Sequence, residues 1–121
     1  MNIEKWKNHE FSTGSSAGKD YLTFQRQMKA DLKKRAADAG FELTRFDPNH
    51  YEFSAVLSKQ VHEEKKYIYV SISDVRFFKN AWADHVLVRT MAHDKDWTGG
   101  RNTYCRWDQV LKQAERLIDR N

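Results

Sequence analysis

The sequence predicts an α+β domain in the order α-β-β-β-β-α, with a four-stranded antiparallel sheet and two helices packed on one face. Three observations lead to this fold. Apolar residues recur every three or four positions near both ends of the chain, as on amphipathic helices, and they alternate with polar residues in the middle, as in half-buried strands. The segments between the predicted strands are too short for the crossovers that parallel strands need, so we expect an antiparallel meander.

The first helix is expected over residues 17–39. Its apolar stripe would face the sheet, and it consists of Tyr21, Phe24, Met28, Leu32, Ala36 and Ala39. Gly40 follows at the position where helices commonly end in a left-handed residue, for which glycine carries no steric penalty. The sequence therefore indicates both the face and the end of this helix.

Four strands are expected next, over residues 41–46, 51–58, 66–75 and 85–92. Residues 47–49, Asp-Pro-Asn, are typical of a turn, and a polar hairpin loop over residues 60–65 would join the second strand to the third. The third strand has the clearest period of two. It directs Ile68, Val70 and Ile72 inward and Tyr67, Tyr69, Ser71 and Ser73 outward.

An aromatic loop over residues 76–84 separates the third strand from the fourth, and a polar loop over residues 93–102 leads to the last helix. That helix is expected over residues 106–119. Its apolar stripe consists of Trp107, Val110, Leu111, Ala114, Leu117 and Ile118. Both predicted helices therefore have one face to bury against the sheet.

Length and composition favour one domain in a reducing compartment. The 121 residues divide into an N-terminal arm, residues 1–16, with Trp6 and Phe11 as candidate anchors, and a single α+β domain, residues 17–121. The lone Cys105 excludes an internal disulfide framework and a cysteine-rich zinc site. No apolar run approaches the ~20 residues that span a bilayer, and no signal peptide is evident. We therefore expect a cytoplasmic protein with no membrane partner.

The stretch TGSSAGKDY, residues 13–21, comes close to two catalytic motifs. It satisfies the Gly-x-Ser-x-Gly pattern of a nucleophile elbow, but no strand precedes it and the chain is too short for the large α/β sheet that such a serine needs. It also approaches a phosphate-binding P-loop, but Asp20 stands where a hydroxyl should reach magnesium. The simpler interpretation is a helix start, with Ser15 or Ser16 as the cap.

The loop over residues 93–102 holds the densest group of side chains that could do chemistry. His93, Asp94 and Asp96 could ligate a divalent metal, which makes a small metal-dependent hydrolase one alternative function. Their spacing matches no recognised metal motif, and the glycine pair at residues 99–100 is equally typical of a long turn. A recognition loop that uses Trp97 and Arg101 is the other interpretation.

Basic and aromatic residues suggest a second alternative, a nucleic-acid-binding protein. The net charge is +4, and Arg26, Lys29 and Lys33 share one side of the first helix. Tyr67 and Tyr69 on an open sheet face could stack on bases, with arginines nearby to contact phosphate. Those arginines are Arg89 and Arg101.

The runs SISDVR, residues 71–76, and LVRTMAHDKDWTGGRNTY, residues 87–104, resemble a pattern in small uncharacterised bacterial proteins, some of them linked to mobile elements. The similarity extends from Gly18 to Leu117. It implies a compact α+β domain and favours an accessory role for a phage or plasmid. It implies no catalytic residue.

The favoured function is a non-enzymatic interaction module, either an accessory or an inhibitory factor. Tyr67, Tyr69, Val56, Leu87 and Met91 would form an apolar outer sheet face, and such a face usually implies a partner. We expect a protein partner or a homodimer, and neither a cofactor nor a catalytic residue. The predicted binding residues are Tyr67, Tyr69, Arg89, Trp97 and Arg101.

Overall fold

The computed structural model describes residues 4–7, 9–11, 18–77, 81–93 and 100–119. It is an α+β structure with one antiparallel sheet of five strands. In chain order its elements are α1 (Lys19–Asp38), β1 (Glu42–Asn49), β2 (Glu52–Val61), β3 (Glu64–Ile72), α2 (Ala81–Asp84), β4 (Val86–Met91), β5 (Asn102–Cys105) and α3 (Val110–Asp119). Short 3₁₀ turns cover Glu4–Trp6 and Trp107–Gln109.

The strands follow one another across the sheet in the order β1-β2-β3-β4-β5, and each neighbouring pair is antiparallel. This confirms the α+β class and the antiparallel meander. The prediction of four strands was one short, because β5 is only four residues long and becomes a strand by pairing with β4. In this pairing Val88 of β4 lies opposite Thr103 of β5.

The helix α1 buries the predicted stripe, from Tyr21 through Ala36. It begins at Lys19 with Gly18 as the N-cap residue, and among the described residues no side chain caps it. The predicted capping residues, Ser15 and Ser16, lie outside the described residues. Asp20 does occupy the first turn, where the helix dipole favours a carboxylate. Gly40 has φ of 82°, as the predicted left-handed stop requires.

The expected turn at residues 47–49 belongs to β1, which continues to Asn49. Pro48 is tolerated there because β1 is an edge strand. Proline has no backbone N–H, and a strand at the edge of a sheet has a neighbour on one side only. The chain reverses one residue later, at His50, whose φ is 63°. The expected loop over residues 60–65 is likewise shorter, since β2 and β3 are joined by a turn at His62 and Glu63.

One hydrophobic core lies between the helices and one face of the sheet. Ile68, Val70 and Ile72 point into it as predicted. The stripe of α3 joins them, with Trp107 at its start. Both helices therefore pack on the same side, and the other side carries the alternate strand residues.

The N-terminal arm contributes to the core through its predicted anchors. Trp6 and Phe11 are each 7% exposed. Their rings stack at 5.7 Å, and Trp6 meets Phe24 of α1 at 5.6 Å. The Trp6 indole N–H donates to Gln27 Oε1 at 2.8 Å. Both the stacking and this hydrogen bond fix the arm against α1.

The aromatic segment before β4 contains the short helix α2, which the sequence did not predict. It places Trp82, 2% exposed, against Phe24 at 5.4 Å. Among the described helices, none has the length and apolar character needed to cross a lipid bilayer.

Candidate functional site

The candidate site is the outer face, defined as the side of the sheet that faces away from α1 and α3. Register and alternation assign its central residues: Ser54, Val56 and Ser58 from β2, Tyr67, Tyr69 and Ser71 from β3, and Leu87, Arg89 and Met91 from β4. Asn102 and Tyr104 of β5 continue it. The predicted outward placement of Tyr67 and Tyr69 thus agrees with the register, and both side chains are half-buried.

A stacked cation lies at the centre of this face. Arg89 is opposite Tyr69 in the register, and its guanidinium carbon lies 4.9 Å from the Tyr69 ring centroid. Arg89 is only 8% exposed. Because a guanidinium over an aromatic face keeps a favourable electrostatic contact while water is excluded, this pair holds a positive charge within the sheet surface.

The outer face is less apolar than the sequence predicts. Val56 is 1% exposed and Met91 is 7% exposed, so neither offers area to a partner. Tyr67, Tyr69 and Leu87 are half-buried, whereas Tyr104 is 64% exposed. The apolar surface on this side is therefore mainly aromatic and centred on tyrosines.

A shallow pocket of about 440 Å³ opens beside Tyr69, where β1, β2 and β3 meet. Arg45 and Asp47 form its β1 side and pair with each other at 3.2 Å. Ser54 and Ser71 lie on its floor, opposite each other in the register. The pocket therefore offers both charges and two hydroxyl groups next to an aromatic ring.

The same pocket ends in polar groups near the turn between β1 and β2. Glu52 lines it and accepts a hydrogen bond from the Asn49 amide at 3.4 Å. The sequence prediction missed this pocket because it placed Asp47 and Asn49 in a turn. The bulge between Leu43 and Arg45, which turns Arg45 onto the outer face, has no evident signal in the sequence.

A second cluster, also unpredicted, follows the end of β3. Arg76 donates to both carboxylate oxygens of Asp74, at 3.0 Å from Nε and 2.7 Å from Nη2. Its guanidinium carbon lies 4.2 Å from the Tyr51 ring centroid and 4.9 Å from that of Phe77, which is 70% exposed. Hydrogen bonds from Arg76 hold the pKa of Asp74 below its usual range.

The predicted loop site is only partly described. Three of its residues, Asp94, Asp96 and Trp97, lie outside the described residues. The predicted metal site and the predicted binding role of Trp97 therefore stay predictions. His93 is exposed. Within the described ranges, no three His, Cys, Asp or Glu side chains come together as a metal site.

Arg101 lies at the far end of that loop. Its backbone N–H donates to Thr90 Oγ1 and its carbonyl accepts from the Thr90 N–H, each at 2.8 Å. Thr90 follows Arg89 along β4, so the side chains of these two residues point to opposite faces of the sheet. Arg101, the neighbour of Thr90 on the next strand, is therefore not on the same face as Arg89. Gly100 has φ of 87°, and a Cβ there would overlap the Thr90 carbonyl oxygen. The loop therefore rejoins the sheet through a glycine that no other residue replaces without strain.

The basic residues of the nucleic-acid alternative fall on two sides of the molecule. Arg26, Lys29 and Lys33 belong to α1, which packs on the face opposite Tyr69. Lys29 Nζ lies 5.5 Å from the ring centroid of Phe46, at the β1 edge. These helical cations and Arg89 therefore do not form one surface.

Cys105 is half-buried, and burial is the main cause that raises the pKa of its thiol, with the Asp108 carboxylate adding to it. A raised pKa lowers the thiolate fraction and so the reactivity.

Comparison of the chain with protein-family models, with curated proteins and with solved structures gave no match.

Proposed function

We propose that this protein is a non-enzymatic interaction module that binds a protein partner through the outer face. The observation that carries the proposal is the arrangement around Tyr69. Its ring stacks on the buried Arg89 on one side and borders the open pocket of about 440 Å³ on the other. An aromatic ring with an arginine, set beside polar groups, is the composition that protein interfaces favour at their centres.

The charges of the outer face support a protein partner rather than a nucleic acid. Its strands carry Arg45, Lys65 and Arg89 together with Glu42, Asp47 and Glu52. Two of these carboxylates, Asp47 and Glu52, line the pocket itself. A phosphate backbone would meet repulsion there, whereas a protein surface can present both signs of charge.

A partner different from this chain fits better than a second copy. Each copy carries a net charge of +4, so two copies repel each other over the range set by the ionic strength. The resemblance to mobile-element proteins adds an accessory or inhibitory role as the biological setting of the proposal. A homodimer through the same face is the competing outcome that the experiment must distinguish.

The test is affinity capture with two matched variants, each of which adds one negative charge. Tyr69→Glu places the charge at the centre of the outer face, and Ala30→Glu places it on the exposed side of α1. We expect Tyr69→Glu to lose the captured partner and Ala30→Glu to retain it. Asp47→Lys, in the pocket wall, should also lose the partner. This second variant keeps the test valid if Tyr69→Glu fails to fold.

Purified partner and protein should then form a complex in light scattering at equal concentrations. Retention of the partner by both outer-face variants would contradict the proposal. If the protein alone forms a dimer and Tyr69→Glu dissociates that dimer, the partner of the outer face is a second copy of this chain.

A further inference from the structure

The outward edge of β5 is an open row of backbone hydrogen-bonding groups. The register of β4 and β5 ends with Arg89 opposite Asn102, and the next residues, Thr90 and Arg101, are joined by a hydrogen bond from the Thr90 N–H to the Arg101 carbonyl at 2.8 Å. In an antiparallel pair, hydrogen-bonded and non-bonded positions alternate. Thr103 and Cys105 therefore direct their backbone groups toward β4, whereas Asn102 and Tyr104 direct theirs away from the sheet.

The exposure of the side chains agrees with an open edge. Asn102 is exposed and Tyr104 is 64% exposed. Among the described residues, no strand pairs with β5 on its outward side. Arg106 adds its N–H to the row, because its φ of −76° and ψ of 154° keep the backbone extended beyond Cys105, whereas its carbonyl accepts from the Gln109 N–H at 2.9 Å.

The opposite edge of the sheet does not offer such a row. In β1 a bulge shifts the register between Leu43 and Arg45, and Pro48 has no N–H to donate. Bulges and prolines are devices that prevent an edge strand from pairing with another chain. The two edges of this sheet therefore differ, and only β5 can accept a regular strand.

Two cations bracket the open edge. Arg101 precedes β5 and is exposed, and Arg106 follows it with 63% of its side chain exposed. Arg106 pairs with Asp108 at 3.4 Å, but both side chains are so exposed that water screens this contact strongly. An incoming strand would thus meet a positive group at each end of the row.

From the open row and its flanking cations we propose that β5 binds an extended acidic segment of a partner protein by strand addition. Residues of the segment opposite Asn102 and Tyr104 exchange backbone hydrogen bonds with them, which gives affinity without dependence on sequence. Carboxylates opposite Arg101 and Arg106 add charge-assisted contacts. In an antiparallel pairing these two carboxylates are separated by four residues, with an apolar side chain opposite Tyr104.

This inference deepens the proposed function and rests on it for the class of partner. It names a second contact that adjoins the outer face, because Tyr104 belongs to both. The contact itself is separable, since a peptide can occupy the edge without touching Tyr69.

The probe is the blocked peptide Glu-Thr-Val-Thr-Val-Glu, with its glutamates replaced by lysines as the control peptide. We expect the acidic peptide to bind and the basic one not to bind. In amide-detected NMR, the peptide should slow the hydrogen exchange of the Asn102 and Tyr104 amides. The Thr103 amide should change little, because it already bonds to β4.

The matched variants are Tyr104→Pro and Tyr104→Val. Tyr104→Pro removes an outward N–H and leaves the bonds to β4 intact, and Tyr104→Val removes the ring but keeps the N–H. We expect Tyr104→Pro to weaken peptide binding roughly fivefold or more, the loss that corresponds to about 1 kcal/mol for one hydrogen bond. Tyr104→Val should bind as the wild type does, and Arg101→Glu with Arg106→Glu should remove the preference for the acidic peptide.

Several results would overturn the inference: no binding of the acidic peptide, equal losses in Tyr104→Pro and Tyr104→Val, or self-association of the protein through β5. Ala30→Glu, on the exposed side of α1, should leave peptide binding unchanged. If peptide binding succeeds while Tyr69→Glu keeps the natural partner, the proposed function fails and the edge site stands. If the partner is lost on Tyr69→Glu but the peptide does not bind, only the edge site fails.

Discussion

A single carboxylate oxygen, Asp31 Oδ2, connects α1 to the segment that begins the last helix. The Trp107 indole N–H donates to it at 2.8 Å, and Arg35 Nη1 approaches the same atom at 3.3 Å. Trp107 is 3% exposed, so its indole N–H has little access to water. The Asp31 side chain therefore satisfies a buried donor as well as forming a helical ion pair.

We expect Asp31→Ala to lower the free energy of unfolding by about 1–3 kcal/mol, because it leaves the buried indole N–H without its acceptor. Asp31→Asn keeps an acceptor oxygen at the same place and should cost less. Urea unfolding followed by tryptophan fluorescence measures both variants. Equal stability of Asp31→Ala and the wild type would show that the hydrogen bond contributes nothing to folding.

At the scale of elements, the turn after β3 is organised by Asp74 and Arg76. The Arg76 N–H donates to Asp74 Oδ1 at 2.9 Å, in addition to the two bonds from the guanidinium. The Val75 N–H donates to the Tyr51 carbonyl at 3.0 Å, which joins this turn to the start of β2. The Asp74 carboxylate thus stabilises the contact between two elements.

Because the pKa of Asp74 is lowered in the folded protein, this carboxylate stabilises the fold above its ordinary pKa of about 3.9. That contribution is lost as the pH falls through the lowered value. We expect Asp74→Asn to be less stable than the wild type at pH near 7, with a smaller difference at strongly acidic pH. Urea unfolding at both pH values measures this. Glu115→Gln, on the exposed side of α3, is the control, and its free energy of unfolding should equal that of the wild type at both pH values.

The elements that the sequence predicts correctly are those whose side-chain period coincides with burial. The stripe of α1, the inward residues of β3 and the stripe of α3 all lie in one core. The errors concern elements decided by tertiary contact. The strand β5 depends on its register with β4, and β1 runs through Pro48 because nothing needs its N–H at the edge.

The candidate site was predictable only in part, for the same reason. Alternation alone places Tyr67, Tyr69 and Arg89 on the outer face. The pocket beside Tyr69 depends on the bulge in β1, which turns Arg45 outward. The low exposure of Val56 and Met91 depends on their neighbours in space, which no spacing along the chain reports.

For the whole molecule, the distribution of charge separates the two binding alternatives. The net charge is +4, but the cations lie on two sides of the sheet. Arg26, Lys29 and Lys33 belong to α1, whereas Arg45 and Arg89 lie on the outer face, where carboxylates accompany them. A nucleic-acid strand following one side would therefore meet few of the cations at once. This division favours the protein-binding proposal.

We expect no binding of single-stranded or double-stranded DNA or RNA at physiological salt, and only weak binding at low salt. Fluorescence anisotropy with labelled oligonucleotides measures it over a salt series. Each neutralised phosphate adds about −0.9 to the slope of log K against log salt for duplex DNA. Tight binding at physiological salt with a steep slope, reduced by Arg89→Ala, would favour the nucleic-acid alternative.

The unequal edges of the sheet also bear on how the protein behaves when crowded. Copies that joined head to tail, β1 of one to β5 of the next, would form a contact that never closes, and contacts of this kind grow into filaments. The bulge and Pro48 in β1 interrupt that pairing at one end. A second copy therefore cannot add its β1 to the β5 of the first, and head-to-tail filaments do not grow. The strand β5 stays available to a different chain.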